Sequence, residues 1–563
     1  MGDLRFTVPA ALDFDRRIWE TAYITGIEGI PWQCHSRFDG EQFSIAREID
    51  ESGKLNIVWP TRQFGNICLS TTSLRVSEIP YNLPVELARG TVCRLRNQTS
   101  DWQRVGLRLP DKFFPTSEEA LCQLLHSLTS DSNSSAQLEH AQQAIELAIE
   151  AGMMLCNTFA AQSLEARRQS EGRLSTLLGV ELMPALSLSP YHDALQKSFN
   201  LMCIPADFSW VESASGKPNY EAFDQQVEWA QRANKKICMG PLVNFRPHGL
   251  PQWMVLLDEG FESILQAACE FAQATVERYR GRVHIWNAAA GLNVPGEMDW
   301  TDEQVLRMAV SLIETVRRAD DRSPVLLTID QPWSEYLRND ADGISPLHFA
   351  DALIRADLGL SGLALNFNLD TWPTGSFPRD PIEINRLIDR WSMLGLPLMV
   401  ILNCPTDGQA TGADASSANQ SAQALPSGSL AGSVSHPSNR TAQSGEQASG
   451  KQANGLDSQA NGDVSPANAT QDAASKEDAT RDTVERLLAV PERISGWRTT
   501  SESSGIVAPE CILRLLLSKP SVHAVIWNNM VVSDGSSRGL WDESGKAKPL
   551  LNSMASLRKV LLH

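Results

Sequence analysis

The side chains that could do acid–base chemistry in this chain are carboxylates placed just after short apolar runs. Glu297 and Asp299 follow the run 282–287, Asp330 ends the run 325–330, and Asp370 and Asp380 follow 363–368. Two carboxyl groups facing each other across a sugar can cleave its glycosidic bond. About 5–5.5 Å between them suits attack by one of the pair, and about 6.5–9.5 Å leaves room for a water. Carboxylates in such loops also cap helices or stay solvated, and spacing alone leaves both readings open. Asn287, Asn366, Asn368 and Asn403 end similar runs. Their amides can hold hydroxyls but cannot titrate. Trp210, Trp253, Trp286 and Trp527 could stack on the apolar faces of pyranose rings, or could pack the ends of strands. The ten cysteines are scattered singly from Cys34 to Cys511 without a Cys-x-x-Cys pair, and His248 stands alone in a loop. Nothing here has the spacing of a metal or cofactor site, and the cysteines read as small buried hydrophobes.

What positions these residues is an alternation of short apolar runs with longer helical patterns. Strands are expected at 180–186, 201–204, 236–242, 282–287, 325–330, 363–368, 398–404 and 522–527. Helical spacing fills 224–233, 261–279, 302–318, 346–355 and 382–394 between them. Strands alternating with helices imply a parallel sheet, and eight of them imply a TIM (β/α)8 barrel, whose chemistry gathers at the C-terminal ends of the strands. Ahead of the barrel, residues 1–112 read as a β-sandwich-like N-terminal domain, with strands at 43–46, 55–59, 66–70 and 92–95 separated by turn signals such as Arg89-Gly90. Trp19, Trp32, Trp59 and Trp102 in this region are either a sugar-stacking platform or core. Residues 113–177 read as a helical connector. The barrel then occupies 178–405 and 480–563. Residues 406–479 are rich in Ser, Ala, Gly, Asn and Gln with almost no apolar anchors, which predicts a disordered insertion that could act as a spacer or recruit a protein partner.

The chain has 563 residues, 42% hydrophobic and 21% charged, with a formal net charge of −18. That size suffices for about two to four domains with a large core. The acidity argues against nucleic acid or an anionic membrane as the main partner. No basic segment followed by an apolar core opens the chain and no uninterrupted apolar run has the length of a membrane span, so the expectation is a soluble cytoplasmic protein.

The run Arg282-Val-His-Ile-Trp-Asn-Ala-Ala-Ala-Gly-Leu-Asn293, with the helix end that precedes it, resembles the fourth strand of the family 10 glycoside hydrolases, the xylanases. Tyr279, Gly281 and Trp286 match that family's pattern, while Asn287, Ala290 and Gly291 replace its Asp, Asn and catalytic Glu. Further along, Trp210, Gly240, the Pro251-Gln-Trp253 unit, Ile526-Trp527 and the closing segment from Gly539 to Pro549 keep the family frame. Ser209 and Ala206 replace its Lys and Asn, and Asn366-Phe-Asn368 replaces its Gln-x-His. At the nucleophile position the resemblance places Leu402, or Asn403 after a one-residue slip. It therefore implies a xylanase-like barrel with both catalytic carboxylates substituted: a carbohydrate-binding barrel for a polysaccharide or oligosaccharide, without the retaining mechanism. The alternatives are hydrolysis by relocated acids (Glu297, Asp299, Asp330, Asp370, Asp380) and a scaffold protein.

Overall fold

A computed structural model describes residues 2–9, 17–184, 186–256, 260–296, 298–340, 343–406, 509–532 and 538–562. The described residues fall in one compact unit. The predicted insertion at 406–479 lies outside them, apart from Thr406, and so does Glu297.

The N-terminal part holds two four-stranded sheets. One has the order β4-β5-β1-β8 and the other β3-β2-β6-β7, with β1 at Gly2–Thr7, β2 at Tyr23–Thr25, β3 at Pro31–Trp32, β4 at Cys34–Phe38, β5 at Gln42–Arg47, β6 at Lys54–Thr61, β7 at Gly65–Ser70 and β8 at Tyr81–Asn82. Leu4 and Phe6 of β1 and Phe43 and Ile45 of β5 are fully buried in the alternation expected of half-buried strands, whereas β6 is buried on both faces from Leu55 to Trp59.

The tryptophans of this region form no platform. Trp19 stacks on Phe38 at 4.3 Å, Trp59 is buried with its indole N–H on Gln142, and Trp102 stacks on Phe159 at 4.0 Å. Trp32 lies half-buried beneath the Arg47 guanidinium. Large aromatics close the core here because each removes extensive apolar surface from water.

The strand expected at 92–95 is helix instead, part of Leu83–Arg104. Asn82 caps that helix by accepting from the Val85 N–H, and Pro84 sits in its first turn, where a missing N–H costs nothing. Gly90 marks no turn. A Cβ there would stand 2.0 Å from the Ser70 carbonyl oxygen, so the glycine lets the helix press against β7. Two more helices follow, Phe113–Thr129 and Ser135–Glu171. The second is long and apolar enough, by length and composition, to cross a membrane, which the expectation of no membrane-length run did not foresee. It buries Ala141, Ile145, Ala148, Ile149 and Leu155 within the protein.

The barrel is closed and all-parallel. Its strands are β9 (Leu177–Glu181), β10 (Leu201–Ile204), β11 (Lys236–Met239), β13 (Ile285–Asn287), β15 (Val325–Ile329), β16 (Gly362–Asn368), β17 (Leu398–Asn403) and β18 (Val522–Trp527), with β18 returning to pair with β9. Two short strands, β12 (Val243–Asn244) and β14 (Ala289–Ala290), pair above the rim. Leu201, Cys203, Cys238, Leu326, Ala364, Met399, Ile401, Ala524 and Ile526 fill the barrel interior, against Leu177 and Ile285. That set fixes the parity of every strand, since alternate residues face opposite sides. Glu181, Asn287, Asp330, Asn366, Asn368, Asn403 and Asn528 continue the inward series to the C-terminal rim. Trp286, Leu402 and Trp527 belong to the outward series.

Candidate functional site

After the fourth strand, Gly291 is enclosed by Arg246 and Asp330. Gly291 has φ +81°, and a Cβ on it would meet the Arg246 backbone nitrogen at 2.5 Å. The Gly291 N–H donates to Asp330 Oδ2 at 2.8 Å. The other oxygen, Oδ1, accepts from Arg246 Nε at 2.9 Å, Arg246 Nη2 at 2.8 Å and Asn366 Nδ2 at 2.6 Å. Asn293 closes the loop with bonds to both the carbonyl and the N–H of Asp330. Asp330 is therefore a buried anchor whose Oδ1 is crowded by three donor contacts and whose Oδ2 holds the Gly291 loop.

Of the other relocated candidates, Glu297 lies outside the described residues, and the described three sit in different settings. Asp299 is exposed, and Asp370 is an exposed loop residue at φ +60° whose N–H donates to the Ser376 carbonyl and whose carbonyl accepts from Arg538. Asp380 caps the helix Pro381–Ser392 and pairs with Arg94 at 2.6 Å, both side chains buried. At the seventh strand Leu402 is fully buried on the outward side, so Asn403 is the inward residue.

The amides divide into spent and available. Asn287 is buried and exchanges both side-chain bonds with Thr328. Asn366 is committed to Asp330 but half-buried. A directed chain runs from Asn529 Nδ2 to Asn403 Oδ1 at 3.1 Å and from Asn403 Nδ2 to Asn368 Oδ1 at 2.7 Å, and all three residues keep part of their surface in solvent.

The tryptophans divide in the same way. Trp286 and Trp527 are in the strand–helix layer, their indole N–H groups on Asp320 Oδ2 and the Arg538 carbonyl, and neither reaches the mouth. Trp253 donates to the Glu212 carbonyl and stands edge-on to Phe208. Trp210 is 57% exposed on the short helix Phe208–Val211 that follows β10.

Sequence reasoning missed Glu181. With its strand placed at 180–186, the residue fell at the strand's base. The strand runs Leu177–Glu181, which puts Glu181 inward at the rim, beside Asn528 just past the end of β18 and paired in register with Cys203 of β10. It is partly accessible, and burial pushes its carboxyl up to about 7 against the opposing pull of Arg246 and a hydrogen bond from Asn528. Asp207 adds a negative charge nearby, its own carboxyl raised by burial although it accepts from Ser209, the Trp210 N–H and Asn244. Among the described residues no group of three or more His, Cys, Asp or Glu side chains is placed to hold a metal ion. All ten cysteines are free thiols, seven of them buried.

Solved structures similar to this chain include xylanases. Xylanase 10B from Thermotoga maritima is 12% identical, with 71% of this chain and 97% of that one covered at a TM-score of 0.42. Xylanase 10B from Thermotoga petrophila, in complex with xylobiose, is 14% identical over 70% and 97% at 0.42. A GH10 structure from Paenibacillus barcinonensis is 14% identical over 70% and 98% at 0.41. No family model matches the chain, and no curated protein does. Likeness at this level says nothing of activity or site, and the barrel stands on its own strand order.

Proposed function

We propose that the barrel mouth binds a hydroxyl-rich oligosaccharide and does not cleave it by the two-carboxylate retaining mechanism. The observation that carries this is the rim itself. Asn368, Asn403, Asn528 and Asn529 present half-buried amides, Trp210 presents an exposed ring, and the place for an acid at Gly291 is closed by Arg246. Amides offer both donors and acceptors, which suits hydroxyls that do the same, and an exposed indole suits the C–H face of a pyranose. Protonating a glycosidic oxygen and attacking the anomeric carbon each need a carboxyl group aimed at the bond. Asp330 already accepts four donor contacts from Arg246, Asn366 and Gly291.

Calorimetry of the full chain with xylo-oligosaccharides of four to six units, the probes the sequence resemblance selects, tests the binding. Saturable heats at or below millimolar ligand are expected, and their absence overturns the reading. Reducing ends released from the same ligands, and abolished by Asp330→Asn, would instead establish hydrolysis by a relocated acid.

A further inference from the structure

Ahead of the barrel, the helices Phe113–Thr129 and Ser135–Glu171 bring a thiol and two imidazoles together at the surface. Cys122 and His126 are four residues apart on one helix face, and Cys122 Sγ lies 3.9 Å from His126 Nε2. His140, on the second helix, has its ring centroid 5.2 Å from that of His126, with 56° between the planes. His126 is exposed, and Cys122 and His140 are half-buried. The neighbours of His140 fix its tautomer. Gln123 Nε2 donates to Glu119 Oε1 at 2.6 Å, and an ionised carboxylate only accepts. That orients the amide with Oε1 toward His140 Nδ1, 2.7 Å away, so Nδ1 carries the proton and donates. Nε2 keeps its lone pair. Metal-binding histidines are held in this way, one ring nitrogen donating to a fixed acceptor while the other faces the ion.

The separations suit one small ion. With zinc–sulfur at about 2.3 Å and zinc–nitrogen at about 2.0–2.1 Å, tetrahedral angles put a thiolate sulfur about 3.6 Å from a ligating nitrogen and two ligating rings about 5.2 Å apart between centroids. The observed 3.9 Å and 5.2 Å lie close to both values. As they stand the three donors do not meet at a common point, so binding has to turn the side chains while the helices stay in place. We infer that Cys122, His126 and His140 form a zinc site that staples the two helices, with a water in the fourth position and Gln123 and Glu119 behind His140. As the zinc–sulfur bond forms, the Cys122 thiol proton leaves to solvent, and both imidazoles bind neutral through Nε2. The site is independent of the saccharide reading of the barrel mouth.

The test is cobalt(II) binding to the full chain, reduced and freed of metal, because cobalt reports its ligands by colour. Stoichiometric cobalt should give a thiolate-to-cobalt charge-transfer band with the strong d–d bands of a four-coordinate ion, and zinc should displace it. Cys122→Ser should abolish the charge-transfer band. His126→Gln and His140→Gln should each weaken zinc by about tenfold or more, and Gln123→Leu by about tenfold with the band retained, since it removes only the acceptor behind His140. No band in the parent, a band that survives Cys122→Ser, or a zinc affinity that neither histidine variant moves overturns the site. Alkylation of Cys122 by iodoacetamide in the unaltered chain, read by peptide mass, decides the matter should a variant not fold. Protection by zinc supports the site, and undiminished alkylation overturns it.

Discussion

Gly291 is a position that the local backbone reserves for glycine. A left-handed φ is open to glycine at no steric cost, and here the missing Cβ also admits the Arg246 backbone. Any side chain there meets both constraints at once. Gly291→Ala is expected to lose about 2 kcal/mol or more, from the left-handed backbone and the 2.5 Å clash together. Chemical denaturation measures this directly, and an unchanged midpoint would mean the loop can relax freely. Glu181 makes a second prediction at this scale. Its pKa is raised from 4.5 in the free acid to about 7 in the folded chain, so the folded state holds this proton more tightly. The contribution to stability is fully present below about pH 4.5 and is lost as pH rises through about 7. Glu181→Gln should flatten that fall, becoming stabilising relative to the parent at pH 8 and close to neutral at pH 4. Melting temperatures across that range would show it.

At the scale of elements, the parity of a strand decides which of its residues can act. Trp286 and Asn287 are neighbours, and only one of two neighbours can face the barrel axis. The interior set puts Asn287 inward, so Trp286 turns to the helices, where its indole N–H meets Asp320 at 2.9 Å. The same logic sends Trp527 and Leu402 outward. The sequence left Trp286 and Trp527 as stacking candidates beside Asn287, because which of two neighbours faces the axis is set by the barrel's interior packing. Strand locations were legible: the runs at 201–204 and 522–527 fall on the strands residue for residue. What was not legible was where β9 ends, because the apolar run 180–186 carries past Glu181 while the pairing with β10 and β18 stops there. Nor did local pattern show that Gly90 serves helix packing, because the Ser70 carbonyl it accommodates belongs to another element. The parity argument yields a contrast. Trp286→Phe should cost about 2–3 kcal/mol through the lost hydrogen bond to a charged acceptor and the lost volume, with saccharide affinity unchanged. Trp210→Ala should leave stability within about 0.5 kcal/mol and weaken binding by roughly tenfold. Reversal of those two outcomes would mean that the assigned faces are wrong.

The whole molecule is joined by a buried charge cluster between the N-terminal sheets and the barrel. Arg379, in the loop after β16, donates through Nη2 to Glu335 Oε1 and to the Tyr23 hydroxyl of β2, both at 2.7 Å. Glu335 also accepts from Ser376 and from the Phe377 N–H, and the Cys68 N–H of β7 donates to the Pro378 carbonyl at 2.8 Å. Arg379 and Glu335 are 2% and 0% exposed as side chains, so neither can find water if the other is removed. Breaking such a pair on one side costs about 3–5 kcal/mol, whereas replacing both partners with apolar groups of similar size can be neutral. Glu335→Leu alone should therefore lower the melting temperature sharply, and adding Arg379→Met should recover much of the loss. Because the cluster ties β2 and β7 to the barrel loops that follow β15 and β16, the sheets and the barrel should melt together. Tryptophan fluorescence and far-ultraviolet dichroism should report one coincident transition in the parent and in the single variant. A barrel transition that stays in place while the sheet signal moves would show that the ion pair merely decorates a contact between independently stable parts.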